Sequence, residues 1–441
     1  MFTAFIGFIC LFALILLRTP LAIAMAVVGF FGFAYTQGLF IDDGIIDFNW
    51  RGIVYMASRT AVSIAQSYEL SVIPLFILMG DFISRGGLSR DLYRFAQAFF
   101  GRKRGGLAVS TIVACGGFSS ICGSSLATTA TMAKVAYPEM RQKQYDKSLA
   151  SASIASGSTL GILIPPSVIL IIYGLITEQS IRELFAAGFL PGLLGVVLYI
   201  LAVKFVVWRA PHLAPPGNAS SRAEKFAALK NIHHTLLLFI LVMGGIYGGV
   251  FTPTEAAGIG AFGGFLISLF RKTLTLPILI NILKESGITS AKLFTLLIGA
   301  LIFSRFISNS GAVEELTDFI VSANISPFAV IIGMMVFYIA LGMILESLSM
   351  ILLTVPLFFP IVAMLGYDLV WFGILVVVIT EISLITPPVG LNVFVLSSVI
   401  PSLSPKEIFS GVLPFWGADI IRLSLLMLFP AISLWLPQLL Y

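Results

Sequence analysis

The chain has 441 residues, 58% of them hydrophobic and 11% charged, with a formal net charge of +5 and a mean hydropathy of +1.03. A soluble domain carries about 25% charged residues, so this is the composition of an integral membrane protein, with no stretch left for a soluble catalytic domain. Lys and Arg are dispersed among a few loops against apolar segments, which argues against nucleic-acid binding, and Cys10, Cys115 and Cys122 show no metal or redox spacing.

The first apolar run, FTAFIGFICLFALILL, has no basic residue before it and no small-residue cleavage site after it, so it reads as a span and not as a signal peptide. A second run covers about residues 20–35. Lys and Arg collect in the cytoplasmic loops of membrane proteins. Arg18 inside and the acidic loop QGLFIDDGIIDFNW outside therefore put the N-terminus on the outer face. Residues 51–67 are too polar to span and are predicted to lie in the interface as an arm helix. A span ending near Ile83 leads into the Arg-rich SRGGLSRDLYRFAQAFFGRKRG.

Between that segment and the equally basic RQKQYDK lies GLAVSTIVACGGFSSICGSSLATTATMAKVAYPEM, apolar but broken in its middle by GGFSSICGSS. With both flanks inside, the segment must enter and return on one side: a re-entrant helical hairpin whose tip is the break. The next span, about 149–173, is interrupted by GSTLGILIPPS, where Pro165 and Pro166 remove two backbone donors and disfavour helix before them. A span over 184–207 ends in the linker WRAPHLAPPGNASSRAEKFAALKN, the predicted boundary between two halves. Spans over 233–250 and 255–270 follow, and LTLPILINILKESGITSAK reads as a second arm helix.

The remainder repeats the first half. LFILMGDFISRGGLSRDL matches LLIGALIFSRFISNSGAVEEL, and ILIPPSVILIIYG matches LITPPVGLNVFVL; the offset between Pro165 and Pro387 is 222, and between Ile83 and Ile307 it is 224. Between these pieces lies a second broken apolar segment whose flanks, EELTD and GYD, are acidic, so it enters from outside. Two such units approaching from opposite faces are the inverted-repeat plan of secondary transporters, where discontinuous helices meet near the midplane. Non-helical backbone is tolerated at that depth only where protein or water satisfies it. The expected fold is an all-α polytopic membrane protein of about ten spanning helices, with two re-entrant hairpins, two broken helices and interfacial arms. Its divisions are 1–70 (scaffold helices and arm), 71–183 (first repeat), 184–290 (central scaffold, linker and second arm), 291–400 (second repeat) and 401–441 (C-terminal scaffold helix).

GGFSSICGSSLATTATMAKVAYPEM, GSTLGILIPPS, GGVFTPTEAAG and LESLSMILLTVP, in that order, resemble the large membrane subunit of tripartite ATP-independent periplasmic (TRAP) transporters over essentially the whole chain. The resemblance implies a sodium-coupled elevator importer in a bacterial inner membrane. It implies a small four-helix membrane subunit and a soluble periplasmic protein that delivers an organic acid, whether a C4-dicarboxylate, sialic acid or a related carboxylate. Some members carry the small subunit fused at the N-terminus; here the large-subunit sequence starts at once, so the small subunit is expected as a separate chain.

On this reading the first tip comprises Ser119, Ser120, Gly123, Ser124, Ser125 and Thr128, completed by Gly157, Ser158, Thr159, Pro165 and Pro166. Glu346, Ser347 and Ser349 mark the second tip, with Thr380, Thr386, Pro387, Pro388 and Asn392 on the following broken helix. All of these except Thr128, Pro166, Pro388 and Asn392 are candidate sodium-site residues. Ser124, Thr128, Pro166, Ser347, Pro388, Asn392 and Arg305 are candidate substrate contacts. Small residues at such positions also serve close helix packing. Glu346 and Glu381 either neutralise a cation or cap freed amides, since intramembrane carboxylates are costly and usually functional. Arg305 either meets a substrate carboxylate or snorkels to the interface. Glu255 belongs to a capping box, TPTE, with Pro at the first helical position, and His233 and His234 begin a span with no metal set around them. A stand-alone dicarboxylate or citrate carrier is the nearest alternative. A membrane-embedded hydrolase finds no HExxH, no paired membrane aspartates and no serine with a base, and an assembly scaffold has no use for duplicated broken hairpins.

Overall fold

The computed structural model describes residues 2–37, 40–42, 45–47, 50–217 and 220–441. Two apolar helices, α1 (Phe2–Leu16) and α2 (Leu21–Thr36), precede the acidic loop. Residues 38–39, 43–44 and 48–49 of that loop lie outside the described set. The pieces between them, β1 (Phe40–Asp42) and β2 (Ile45–Asp47), pair antiparallel with Ile41 opposite Ile46, a small ribbon on an otherwise helical chain. The arm α3 (Trp50–Gln66) and the span α4 (Val72–Arg85) meet at a 60° bend, as the polar composition of 51–67 predicts. A short amphipathic helix, α5 (Leu88–Phe100), then leads into the first hairpin, α6 (Gly106–Cys122) and α7 (Ser125–Gln142). The first broken helix follows as α8 (Lys147–Gly157) and α9 (Val168–Thr177), and then a long span, α10 (Ile181–Arg209).

Past the linker, where residues 218–219 are outside the described set, come α11 (Arg222–Tyr247), α12 (Pro253–Phe270), α13 (Leu276–Asn309) and α14 (Ala312–Ser322). The second hairpin is α15 (Pro327–Gly342) and α16 (Ser347–Met364), the second broken helix α17 (Leu369–Ser383) and α18 (Leu391–Val399), and α19 (Pro405–Leu428) and α20 (Ala431–Leu440) close the chain. The second arm and the span after it, expected as separate pieces, are one helix: α13 runs unbroken through residue 290. Nothing in LKESGITSAK removes a backbone donor, and one glycine inside a helix costs only about 1 kcal/mol, so the helix propagates through the polar stretch.

Among the described residues six helices, α10, α11, α12, α13, α16 and α19, are individually long and apolar enough to cross a membrane, and α3 and α4 reach that length only when taken together. Of the six, α16 is a hairpin limb. Shorter apolar helices include α1, α2, α6, α9, α15, α17 and α20.

The repeat is visible in the helix starts. Ser124 and Glu346 occupy the N-cap positions of α7 and α16, at the same offset that separates Pro165 from Pro387. Asp146 and Asp368 cap α8 and α17 at that offset too, each accepting from a backbone N–H of the first turn. The Pro165–Pro166 and Pro387–Pro388 bonds are both cis. In the outer frame α2 packs on α13 and α12 on α4, each joining helices from different halves of the chain. At the centre the second broken helix is enclosed, with every residue from Val370 to Ser383 buried. The flanking spans α10, α11 and α13 carry exposed large apolar side chains such as Phe205, Leu237 and Ile280, the surface a lipid solvent requires.

Candidate functional site

Both broken helices come apart at their predicted positions. α8 ends at Gly157 and helix resumes only at Val168, beyond a single 3-10 turn; α17 ends at Ser383 and resumes at Leu391. The hairpin limbs pass close to these breaks, and the fit is achieved in opposite ways in the two repeats. In the first, Gly161 of the break lies against Ser119 and the Ser120 backbone. In the second, the glycine is on the hairpin, where Gly342 lies against Ser383. Ser383 is the repeat equivalent of Gly161, at the offset of the proline pairs, so the crossing recurs while the small residue changes sides. In both cases a Cβ on the glycine would approach its neighbour more closely than the 3.0 Å that real Cβ atoms tolerate.

A cleft of about 370 Å³ opens where the two tips converge. Its walls are the first tip (122–127), the second tip (Glu346, Ser347 and Leu348), the breaks (Ile162, Val168, Ile169 and Leu384) and the frame helices α4 (Ile77 and Asp81) and α13 (Thr289 and Leu293). Three helices, α7, α9 and α16, begin on it. Helix N-termini carry unpaired N–H groups and a partial positive charge, so they favour anions. Among its described lining residues there is no Lys, Arg or His, and there are two carboxylates, Asp81 and Glu346. An anion entering this space meets favourable dipoles and two like charges together. That arrangement is workable if a cation shares the site.

Most hydroxyls around the tips and breaks donate to backbone carbonyls. Ser119 Oγ donates to the Ser158 carbonyl at 3.0 Å, Ser120 Oγ to the Gly117 carbonyl at 2.9 Å, Thr128 Oγ1 to the Ser124 carbonyl at 2.8 Å, and Ser158 Oγ to the Ile154 carbonyl at 2.7 Å. In the second repeat Thr380 Oγ1 donates to the Val377 carbonyl at 2.8 Å and Thr386 Oγ1 to the Ile382 carbonyl at 2.7 Å. A hydroxyl whose hydrogen is committed in this way still offers its oxygen lone pairs, which is what a hard cation uses. Ser347 Oγ is buried, lines the cleft and has no hydrogen-bond partner among the described residues, and Ser349 Oγ reaches Glu346 Oε1 at 3.3 Å.

The sequence-predicted residues do not all gather here. Gly123, Ser124, Ser125, Glu346 and Ser347 line the cleft. Ser124 Oγ also accepts from the Ala127 backbone N–H at 3.3 Å as the N-cap of α7. Ser119 on α6, Gly157 at the end of α8, Thr380 on α17, and Ser158, Thr159 and Thr386 in the breaks are buried and are not among the lining residues. Pro165, Pro166, Pro387 and Pro388 shape those breaks and are not among the lining residues. Asn392 is fully buried and engaged with protein: Nδ2 donates to Ser125 Oγ at 2.7 Å and to the Ala155 carbonyl at 2.9 Å. It straps the second broken helix to the first hairpin and stands apart from the cleft. Arg305 is exposed near the end of α13, about three turns beyond the cleft residue Leu293.

Glu381 is not on the cleft either. Its Oε2 accepts from Arg422 Nη2 at 3.0 Å, and the same nitrogen pairs with Asp419 Oδ1 at 3.0 Å, all three side chains being at most 1% exposed. Asp419 and Arg422 escaped the sequence reading. The available signal was the pair itself, an Asp and an Arg three residues apart within the apolar run FWGADIIRLSLL. Glu255 holds the expected capping box, with its N–H on Thr252 Oγ1 at 3.2 Å and its Oε2 on the Thr252 N–H at 2.8 Å. No group of three metal-binding side chains occurs among the described residues, His233 and His234 included.

The family model for the tripartite ATP-independent periplasmic transporter, DctM component, matches residues 8–432. The C4-dicarboxylate TRAP transporter large permease protein DctM of Vibrio cholerae serotype O1 is 34% identical over 95% of this chain and 96% of its own. The sialic acid TRAP transporter large permease protein SiaM of the same organism is 32% identical over 89% and 91%. In fold, the chain is similar to the crystal structure of the YdaH transporter of Alcanivorax borkumensis, with a TM-score of 0.70 at 15% identity over 93% of this chain and 98% of the other. Hairpins, breaks and whole-length matches agree: the chain is a multi-pass transport permease, not an enzyme, and belongs to the TRAP transporter family as its DctM component.

Proposed function

We propose that this permease carries an organic acid across the bacterial inner membrane together with sodium, the acid and the ions being held between the two hairpin tips. The observation that carries this reading is the composition of the cleft: three helix N-termini, two carboxylates and no basic side chain among its described walls. A carboxylate substrate needs a co-bound cation there, and the Ser124, Ser125 and Ser347 hydroxyls on the cleft, together with the broken backbone, supply hard oxygen donors for one. The named relatives take a C4-dicarboxylate and a sialic acid, and a carboxylate of either kind suits the dipoles.

The movement is an elevator stroke in which hairpins and broken helices slide as one unit against the frame. Gly80 of α4 supports this, because a Cβ there would meet the Ile121 carbonyl at 2.6 Å; the frame is bare where the first tip passes. Asp81 and the Arg85–Glu285 ion pair mark the same end of α4 and α13, the end that leads into the basic segments. By the charge rule that end is cytoplasmic, so the site stands on its inward side here and the N-terminus is periplasmic. A small four-helix subunit steadies the frame, and a soluble binding protein delivers the substrate from the periplasm.

The test is reconstitution of this chain with its small subunit and measurement of acid uptake with the binding protein and the sodium gradient each present or absent. Uptake that needs both supports the proposal. Uptake without the binding protein makes it a stand-alone carrier, and uptake indifferent to sodium refutes the cation site. The stroke is tested separately by Ile77→Cys, on an apolar part of the α4 wall, paired with Cys122 of the first tip, with Cys10 and Cys115 replaced. A short thiol cross-link there should stop uptake until it is reduced, and full uptake by fully cross-linked protein would disprove the sliding.

A further inference from the structure

The buried charges on α17 and α19 do more than neutralise one another. Glu381 sits at the end of the second broken helix, and its repeat equivalent, at the offset of the proline pairs, is Thr159 in the first break. A polar chain joins these two equivalent points across the centre of the molecule. Thr159 Oγ1 lies 3.4 Å from the Tyr199 hydroxyl on α10, Tyr199 donates to Asp419 Oδ2 at 2.5 Å, Asp419 pairs with Arg422 at 3.0 Å, and Arg422 pairs with Glu381 at 3.0 Å. The Leu163 backbone, in the first break, lies beside the same Glu381 carboxylate. Room for the guanidinium is made by Gly195 of α10, where a Cβ would overlap Arg422 Nη1.

We propose that Tyr199, Asp419, Arg422 and Glu381 form a lock that holds the two broken helices in fixed register, so that both tips present their groups to one cleft at once. These are positioning residues; none of them lines the cleft. The physical argument is cost. Two carboxylates and one guanidinium fully removed from water are expensive, and apolar side chains of similar volume commonly hold helices together as well or better. What the ionic set adds is geometry. A guanidinium shared between carboxylates on two helices fixes their relative rotation and height, whereas aliphatic packing tolerates slippage along the helix axis. α19 packs on α8 and α17, and α10 on α6 and α9, so these two helices, which the sequence places in the scaffold, travel with the hairpins and broken helices. A unit that must slide past a frame without shearing between its own halves has use for that property. The proposal rests on the reading of the two tips as one moving site.

The experiment neutralises the whole set, so that no charge is left buried alone: Glu381→Gln, Asp419→Asn and Arg422→Met together. Spin labels at Lys134 on the first hairpin and Phe337 on the second, in protein freed of its native cysteines, report the distance between hairpins by pulsed dipolar spectroscopy. The expected result is a folded protein with an unchanged or higher melting temperature, a broadened or split distance distribution, and a half-saturating sodium concentration raised about tenfold. A single narrow distance equal to the parent's would overturn the lock, whatever the uptake. If the triple variant does not fold, Gly195→Ala keeps every charge while displacing the guanidinium, and the same two distance outcomes decide. A parent protein whose uptake ignores sodium sinks the sodium reading alone, because the distance measurement stands without transport.

Discussion

The glycine that changes sides between the repeats makes a sharp prediction. In Gly342→Ala the new Cβ meets the Ser383 side chain inside the 3.0 Å limit, with Met350 Sδ next at 3.1 Å. Ordinary contact begins at 3.4 Å, so the hairpin limb α15 or the end of α17 must give by more than a few tenths of an ångström. Both neighbours are fully enclosed, so little of that can be absorbed by a rotamer. Overpacking of this kind costs about 1–3 kcal/mol, and each 1.4 kcal/mol is about a tenfold change in an equilibrium constant. Since the second tip hangs from this limb, uptake should fall roughly tenfold or more, and the melting temperature should fall with it.

Adding Ser383→Gly places the glycine where the first repeat has Gly161, and should restore most of the loss. The recovery is incomplete because the Ser383 hydroxyl's 2.6 Å bond to the Thr380 carbonyl goes and a helix-end glycine costs about 0.5–1 kcal/mol. The first repeat supplies the control. Gly161→Ala strikes the Ser120 backbone N and the Ser119 carbonyl carbon as well as the Ser119 side chain, so Ser119→Gly should not rescue it. Purified variants are compared by thermal melting and by proteoliposome uptake in a double-mutant cycle. Wild-type uptake by Gly342→Ala, or equal rescue in both repeats, would refute the packing argument.

Ser347→Ala removes a buried hydroxyl that has no protein partner among the described residues, so the melting temperature should hold or rise while half-saturation for sodium or substrate weakens about tenfold; unchanged half-saturation would take Ser347 out of the site. Asn392→Leu breaks two buried hydrogen bonds and should destabilise by about 1–3 kcal/mol, read as a lower melting temperature with lower maximal uptake and unaltered substrate affinity. Arg305→Gln, on an exposed stretch of α13, should leave substrate affinity unchanged in uptake titrations; a large loss would restore it as a carboxylate partner.

Much of the plan was written locally. Apolar runs, the glycine and serine breaks at GGFSSICGSS and LESLS, the paired prolines and the TPTE capping box are short-range signals, because a helix forms or fails according to the donors and backbone freedom of a few neighbouring residues. The near-constant offset between Pro165 and Pro387 and between Ile83 and Ile307 made the repeat legible without coordinates. Only the tertiary structure decided which polar residues face the cleft and which bind helices together. Asn392 and Glu381 carry the same local promise as Ser347, yet they are strapped to Ser125 and Arg422, partners 267 and 41 residues distant in sequence. Asp81 joined the site from a frame helix, and the Tyr199–Asp419–Arg422–Glu381 lock assembled from three helices. The reason is physical: burial and partnership of a polar group depend on what the folded chain brings against it, and in a chain this apolar almost every polar residue looks functional until that neighbour is known.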